Sequence, residues 1–375
     1  MFFIIVLSIW AAVHLHVGWR VAGLPWIAAH IGGRTVGIAF LLLWASYPAA
    51  RILAARGLHG IAGPIELLGS LWIGVLFLLF AALIAAEVAT LGGWLFARAA
   101  PAIRSVATMA GLAMASVAAV QGLRAPVIRE HEVPLPGLPA ALDGTRLAVL
   151  TDTHLGTLIG GGWLAARIQQ VESLQPDAIL IAGDLVDSDL DGATALQPLL
   201  AELRAPLGTW VVLGNHDVYA GVGRVLGFAE GAGLHVLRNR HAELAPGLIV
   251  AGIDDPATLR RRAGLNADNR LDDALAGIPT SAATILLAHT PDSHTAADAA
   301  AAGVGLMLSG HTHGGQIWPF SYLVARRYPL LAGRYDVGAM AVLVCRGTGT
   351  WGPRMRLWRP GEILLVTLRS PKAAR

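Results

Sequence analysis

The sequence is poor in cysteine and in charge. Its one cysteine, Cys345, excludes an internal disulfide and a thiolate metal cluster, and its place in the apolar run Met340 to Cys345 reads as a buried strand position. Only 14% of the residues are charged while 55% are hydrophobic, which is too apolar for an ordinary soluble chain of 375 residues, so part of the protein belongs in a bilayer. The net charge of +3 comes almost wholly from dispersed arginines, without the clustered basic stripe of a nucleic-acid binder. Nucleic acid is therefore not the expected partner, and the charge leaves a weak bias toward anionic lipid or phosphate. The first apolar stretch has no basic n-region and no small-residue cleavage site, and it runs into His14, His16, Trp19 and Arg20; it reads as a retained helix. A one-sided arginine bias is missing too. Arg20, Arg34, Arg98 and Arg104 balance Arg51, Arg56, Arg124 and Arg129, so the positive-inside rule assigns no orientation.

Long apolar runs are what the first third has in abundance: Phe2 to Val17, Val36 to Leu53, Leu67 to Leu91 and Ser105 to Leu123. A bilayer core of about 30 Å needs roughly 20 helical residues, so the reading is three to four spans in a multi-pass membrane domain over residues 1–125. Trp10, Trp19, Trp26, Trp44, Trp72 and Trp94 suit interfacial belts. Glu87 lies inside the third run, where an ionisable group is costly; near a helix end it reads as a snorkelling side chain. His14, His16, His30 and His59 fall near span ends and loops and read as amphipathic rings without ligands.

Pro126, Pro134, Pro136 and Pro139 then break any helix, so 126–139 reads as a Pro-rich linker and 140–375 as a second domain. Within it, Leu147 to Leu150, Ala178 to Ala182, Trp210 to Leu213, Thr284 to Ala288 and Val304 to Leu308 have the length and content of buried strands, with helical patterns between several of them. That alternation implies a layered α/β or α+β domain. Each of these runs ends in residues able to hold metal: Asp152-Thr153-His154, Gly183-Asp184, Gly214-Asn215-His216-Asp217, His289 and Gly310-His311-Thr312-His313. Clusters that follow strand ends converge on one face of a sheet despite their distance in sequence. Carboxylate, imidazole and amide ligands without thiolate suit divalent ions such as Mn, Fe or Zn and do not choose among them. Glycines beside the ligands let backbone approach closely where a Cβ would clash.

Asp152-x-His154, Gly183-Asp184-x-x-Asp187, Gly214-Asn215-His216-Asp217, His289 and Gly310-His311-x-His313 together resemble the signature of the calcineurin-like metallophosphoesterases, in order and without a gap, over roughly residues 138–368. The resemblance implies a four-layer α/β domain, a β-sandwich flanked by helices, with a dinuclear centre at one edge. It implies that Asp152, His154 and His313 hold one ion, that Asn215, His289 and His311 hold the other, and that Asp184 bridges both. Two ions roughly 3.5 to 4 Å apart acidify a water between them and neutralise phosphoryl charge during in-line displacement. His216 is the candidate to protonate the leaving oxygen, with Asp217 to orient it or raise its pKa. Asp187, one helical turn past the bridging carboxylate, either supports the ligands or caps the next segment.

Finer motifs, His313-Gly314-Gly315-Gln316-Ile317, Gly252-Ile253-Asp254-Asp255-Pro256 and Arg346-Gly347-Thr348-Gly349-Thr350, resemble a bacterial membrane-associated branch that includes UDP-2,3-diacylglucosamine pyrophosphatases of lipid A synthesis. That branch implies a lipid pyrophosphate substrate at the inner (plasma) membrane, with a catalytic domain on the cytoplasmic face. Several apolar spans, where many relatives have one anchor, depart from the pattern. Arg260, Arg261, Arg262, Arg326 and Arg327 are candidate phosphate or leaflet contacts, and Trp318, Phe320 and Trp351 a candidate apolar lip. Two other readings compete: a broad phosphodiesterase or phosphatase on soluble substrates, and a non-catalytic membrane sensor. The intact ligand set and His216 speak against the sensor.

Overall fold

The computed structural model describes residues 2–188, 190–256 and 270–371. Arg260, Arg261 and Arg262 lie outside the described residues. The chain divides into two compact units, residues 1–124 with 352–358, and residues 125–351 with 359–375.

The first unit is helical: α1 (Phe2–Ala22), α2 (Pro25–His30), α3 (Gly33–Ala55), α4 (His59–Thr90) and α5 (Ala100–Gly122). Among the described residues, three stretches, Gly33–Ala55, His59–Gly93 and Ala100–Gly122, are long and apolar enough to cross a membrane. Helix α4 starts at His59, well before the apolar run at Leu67, and runs through Pro64. Small residues set the spacing: a Cβ on Gly69 would lie 2.7 Å from the Tyr47 backbone nitrogen, and one on Gly111 would lie 3.1 Å from Leu79. Glu87 does not reach for solvent alone, since Arg20 and Arg104 each approach its carboxylate at 2.9 Å. His14 donates from Nδ1 to the Trp10 carbonyl (2.8 Å) and accepts at Nε2 from the Trp72 indole (2.9 Å), which makes it a satisfied packing group. Trp19, Trp26 and Trp94 stay exposed, as interfacial residues would. The segment 352–358 packs in this unit: the Arg356 N–H donates to the Ala118 carbonyl, and the Trp358 N–H to Gln121 Oε1.

The second unit is built on two six-stranded sheets. One has the order β1-β12-β2-β3-β4-β5, with β1 Val127–Pro134, β2 Arg146–Leu150, β3 Ala178–Ile181, β4 Thr209–Val211, β5 His235–Val236 and β12 Glu362–Arg369. The other has the order β10-β11-β9-β8-β7-β6, with β6 Arg240–Ala245, β7 Leu248–Ile253, β8 Ala283–Ala288, β9 Leu306–Ser309, β10 Gly333–Val337 and β11 Met340–Val344. Because side chains alternate faces, each strand feeds two cores. Leu147, Val149, Ala178 and Leu180 point inward with Ile285, Leu287, Leu306 and Leu308 to form the layer between the sheets. Ala148, Leu150, Ile179 and Ile181 point outward against helices α6 (Gly161–Glu172), α7 (Gln197–Leu200) and α8 (Asn215–Gly231). Leu286, Ala288 and Met307 do the same on the other side against Ser293–Ala301. The result is helix, sheet, sheet, helix, the four-layer domain expected. Cys345 is fully buried in the middle layer.

The segment read as a linker is a correction. Val127–Pro134 is strand β1, parallel to β12 over its whole length, from Val127 opposite Glu362 to Pro134 opposite Arg369. Its proline closes the strand at the sheet edge, where no ladder hydrogen bond is lost. Strands β2, β3 and β4 are mutually parallel, as are β8 and β9, so their C-terminal ends share one edge of each sheet.

Candidate metal centre

The loops that leave these strand ends carry the clustered ligands. Thr151 and Asp152 follow β2, Asp184 follows β3, Asn215 opens α8 after β4, His289 follows β8, and His311 and His313 follow β9. The backbone at these positions is unusual: Asp152, His154, Asp184, His311 and His313 all have positive φ, between 46° and 69°. Non-glycine residues avoid this region at a cost of order 1–3 kcal/mol each, and such strain collects at functional sites. Glycines make the turns possible. A Cβ on Gly214 would lie 2.1 Å from Asp184 Oδ1, and one on Gly310 would lie 2.0 Å from Thr151 Oγ1.

Three groupings of ligand atoms form, each within 4.8 Å: Asp152, His154 and His313; His154, Asp184 and His216; Asp184, His289 and His311. His154 and Asp184 are shared, so the groupings merge into one elongated centre. In the first, His154 Nε2 and His313 Nε2 stand 3.1 Å apart, and Asp152 Oδ1 is 3.4 Å from His313 Nε2. In the third, His289 Nε2 is 3.2 Å from Asp184 Oδ2 and 3.3 Å from Asn215 Oδ1, and His311 Nδ1 is 2.8 Å from that amide oxygen. Thus all seven residues expected as ligands are brought together, and Asp184 stands between the two sets.

The surroundings orient these groups. His289 Nδ1 lies 2.8 Å from the Ala182 carbonyl and donates to it, which turns Nε2 inward. Asp152 accepts from the Thr151 hydroxyl (2.8 Å) and the His311 N–H (3.1 Å), and Asp184 accepts from the His216 N–H at the start of α8 (2.8 Å). The His154 Nδ1 is buried without a hydrogen-bond partner among the described residues. Burial pushes His154 down to about 4 and, with His289 beside it, His311 down to about 4, so both rings keep a lone pair at neutral pH. Burial would raise Asp184, but the charge and hydrogen bond of His289 hold it well below its usual value. His289 is in turn held well above its own: burial opposes this, but the Asp184 charge outweighs it. Convergent imidazole nitrogens with carboxylate and amide oxygens are the donor set divalent cations take up, once the imidazoles are deprotonated.

His216 lies beside this centre, its ring 4.7 Å from that of His154. Of the two roles expected of Asp217, its charge is among those that raise the His216 pKa, but it does not orient the ring. That carboxylate does not hydrogen-bond the ring: it accepts from the backbone N–H groups of Gly214 (2.8 Å), Val186 (3.0 Å) and Leu185 (3.2 Å), capping α8 and fixing the Asp184 loop. The partner of His216 is Asp187, whose Oδ1 is 2.9 Å from Nδ1, with the Ser188 hydroxyl also at 2.9 Å. Burial opposes a high His216 pKa, but the Asp187 hydrogen bond and the nearby carboxylates raise it; the same bond pulls Asp187 down to about 2 against the effect of burial. Sequence spacing alone missed this, because adjacency to His216 favoured Asp217, while consecutive side chains of a helix are about 100° apart and Asp217 turns back to the Gly214 N–H.

Tyr328 was also missed: its hydroxyl is 2.9 Å from His311 Nε2, the nitrogen opposite the one facing Asn215. Nothing in the sequence around it marks a ligand support. The finer motifs fold against the same loops. The Gly349 N–H donates to the Asp152 carbonyl (3.0 Å), Asp255 accepts from Thr290 beside His289 (2.5 Å), and Asp254 pairs with Arg238 (2.6 Å).

A four-layer sandwich with clustered aspartate, histidine and asparagine side chains at the ends of its parallel strands defines an α/β domain with a candidate divalent-metal centre. The model of the calcineurin-like phosphoesterases matches residues 145–315. A Danio rerio transmembrane protein with metallophosphoesterase domain is 34% identical over 275 residues, 70% of this chain and 62% of that protein. An uncharacterized metallophosphoesterase of Campylobacter jejuni is 35% identical over 253 residues, 67% of this chain and 65% of its own. One from Aquifex aeolicus is 33% identical over 236 residues, 60% of this chain and 86% of its own. The chain thus spans under two thirds of the first two relatives. It belongs to the calcineurin-like metallophosphoesterase family.

Proposed function

We propose that the protein is a membrane-anchored hydrolase of phosphodiester or pyrophosphate bonds. The observation that carries this is the merged centre, in which Asp184 lies within ligand reach of both imidazole sets while His216, paired to Asp187, stands at its edge. Two divalent ions held there would activate a water and offset phosphoryl charge. In this reading Asp152, His154 and His313 hold one ion, Asn215, His289 and His311 the other, and Asp184 touches both. The remaining work falls to the chain. Asp187 and Ser188 fix the His216 ring through Nδ1, so the Nε2 proton is the one delivered to the leaving oxygen. Asp217 holds the helix start that presents Asn215 and His216.

For the substrate, we propose a lipid pyrophosphate of the UDP-2,3-diacylglucosamine type, with the hydrolase unit on the cytoplasmic side of the inner membrane. The support is the set of finer motifs and three helices long and apolar enough to span. The test is hydrolysis of UDP-2,3-diacylglucosamine by the detergent-purified full chain with Mn, beside a generic aryl phosphodiester and the His216→Ala variant. Cleavage of the lipid nucleotide far above the generic ester, lost in the variant, supports the lipid reading. Cleavage of the generic ester alone removes it and keeps the phosphoesterase.

A further inference from the structure

His216 does not face open solvent. The residue is 8% exposed, and two aromatic residues, Tyr219 and Trp351, each have ring centroids 5.7 Å from its ring, at interplanar angles of 62° and 69°. Both neighbouring residues are themselves about half exposed, Tyr219 at 47% and Trp351 at 52%. Scattered exposed apolar residues need no explanation, but two aromatics against one histidine at the metal centre are not scattered.

The Trp351 main chain is also firmly placed. Its N–H donates to Gln316 Oε1 and its carbonyl accepts from Gln316 Nε2, both at 3.0 Å, so one buried amide clasps it to the loop that follows His313. Two residues earlier, the Gly349 N–H donates to the Asp152 carbonyl, and the Thr348 N–H to that of Thr151. A Cβ on Gly349 would lie 2.5 Å from the Thr153 carbonyl oxygen, so the strand approaches the ligand loop as closely as backbone allows. The indole is thus registered to both ligand loops, with one side toward His216 and half its surface open.

We infer that Trp351 and Tyr219 form a subsite on the leaving-group side of the scissile phosphorus, and that the enzyme prefers substrates, diester or pyrophosphate, whose leaving group carries a flat ring. This rests on the phosphoester reading above. The group that protonates the leaving oxygen must be near the leaving group, so the rings beside His216 lie on the side of the departing group. Aromatic side chains favour flat partners in stacked or edge-to-face contact, and a small hydrated alcohol gains nothing from them.

The test compares methyl phenyl phosphate with methyl hexafluoroisopropyl phosphate, two diesters whose leaving groups have similar acidity but differ in shape, using the metal-loaded full chain in detergent. The readout is the ratio of kcat/KM for the phenyl ester to that for the alkyl ester. In the unaltered protein this ratio should be well above one. Trp351→Ala should lower it about tenfold, mainly through KM for the phenyl ester, and Trp351→Phe should restore most of it. Trp351→Leu, which keeps apolar bulk without a flat ring, provides a second reading if the alanine variant does not load metal, and should also lower the ratio. A ratio near one in the unaltered protein, or one that neither variant changes, overturns the subsite. Absence of metal-dependent hydrolysis of either ester by the unaltered protein would instead count against the phosphoester reading.

Discussion

Single atoms decide this site. A methyl group at Gly214 would occupy the space of Asp184 Oδ1, so Gly214→Ala should strip metal and activity together while the protein stays folded, as read by metal analysis and far-UV circular dichroism. The two aspartates near His216 should separate cleanly. Asp187→Asn removes the charge that holds the Nδ1 proton and should lower kcat by roughly 10²-fold or more with metal content unchanged. Asp217→Asn loosens three backbone N–H contacts and should instead lower the thermal midpoint. Tyr328→Phe takes the hydroxyl from His311 Nε2 and should weaken metal affinity by about tenfold, measured by titration with Mn alone. The ligands were legible in the sequence because each follows an apolar run, and their types are rare in such places. Asp187 and Tyr328 were less so, since their roles depend on which way a side chain turns, and no spacing rule records that.

At the scale of elements, the apolar runs located β2, β3, β4, β8 and β9 because buried parallel strands read as continuous hydrophobic stretches. Strand β1 escaped notice because its proline neighbours signal a linker, while its pairing partner β12 lies at the far end of the chain. The early start of α4 was hidden by Pro64, and the association of 352–358 with the helices leaves no compositional mark. Leu180 sits fully buried between the sheets one strand from the site. Leu180→Ala should cost about 2–5 kcal/mol of unfolding free energy, read from urea denaturation, as expected for a cavity in a layer closed on both faces.

For the whole molecule, an apolar helical unit and a metallophosphoesterase unit share one chain, and in the second the Asp184 charge favours the protonated form of His289. Imidazole binds metal only when deprotonated, so loading should release protons and weaken as the pH falls. The most direct measurement is the metal content of the purified full chain, followed through chelator stripping and re-addition alongside phosphodiester hydrolysis. The account predicts two divalent ions per chain, with hydrolysis lost on stripping and recovered on re-addition. Hydrolysis that survives complete stripping, or a fully loaded protein that cleaves no phosphoester, would contradict it.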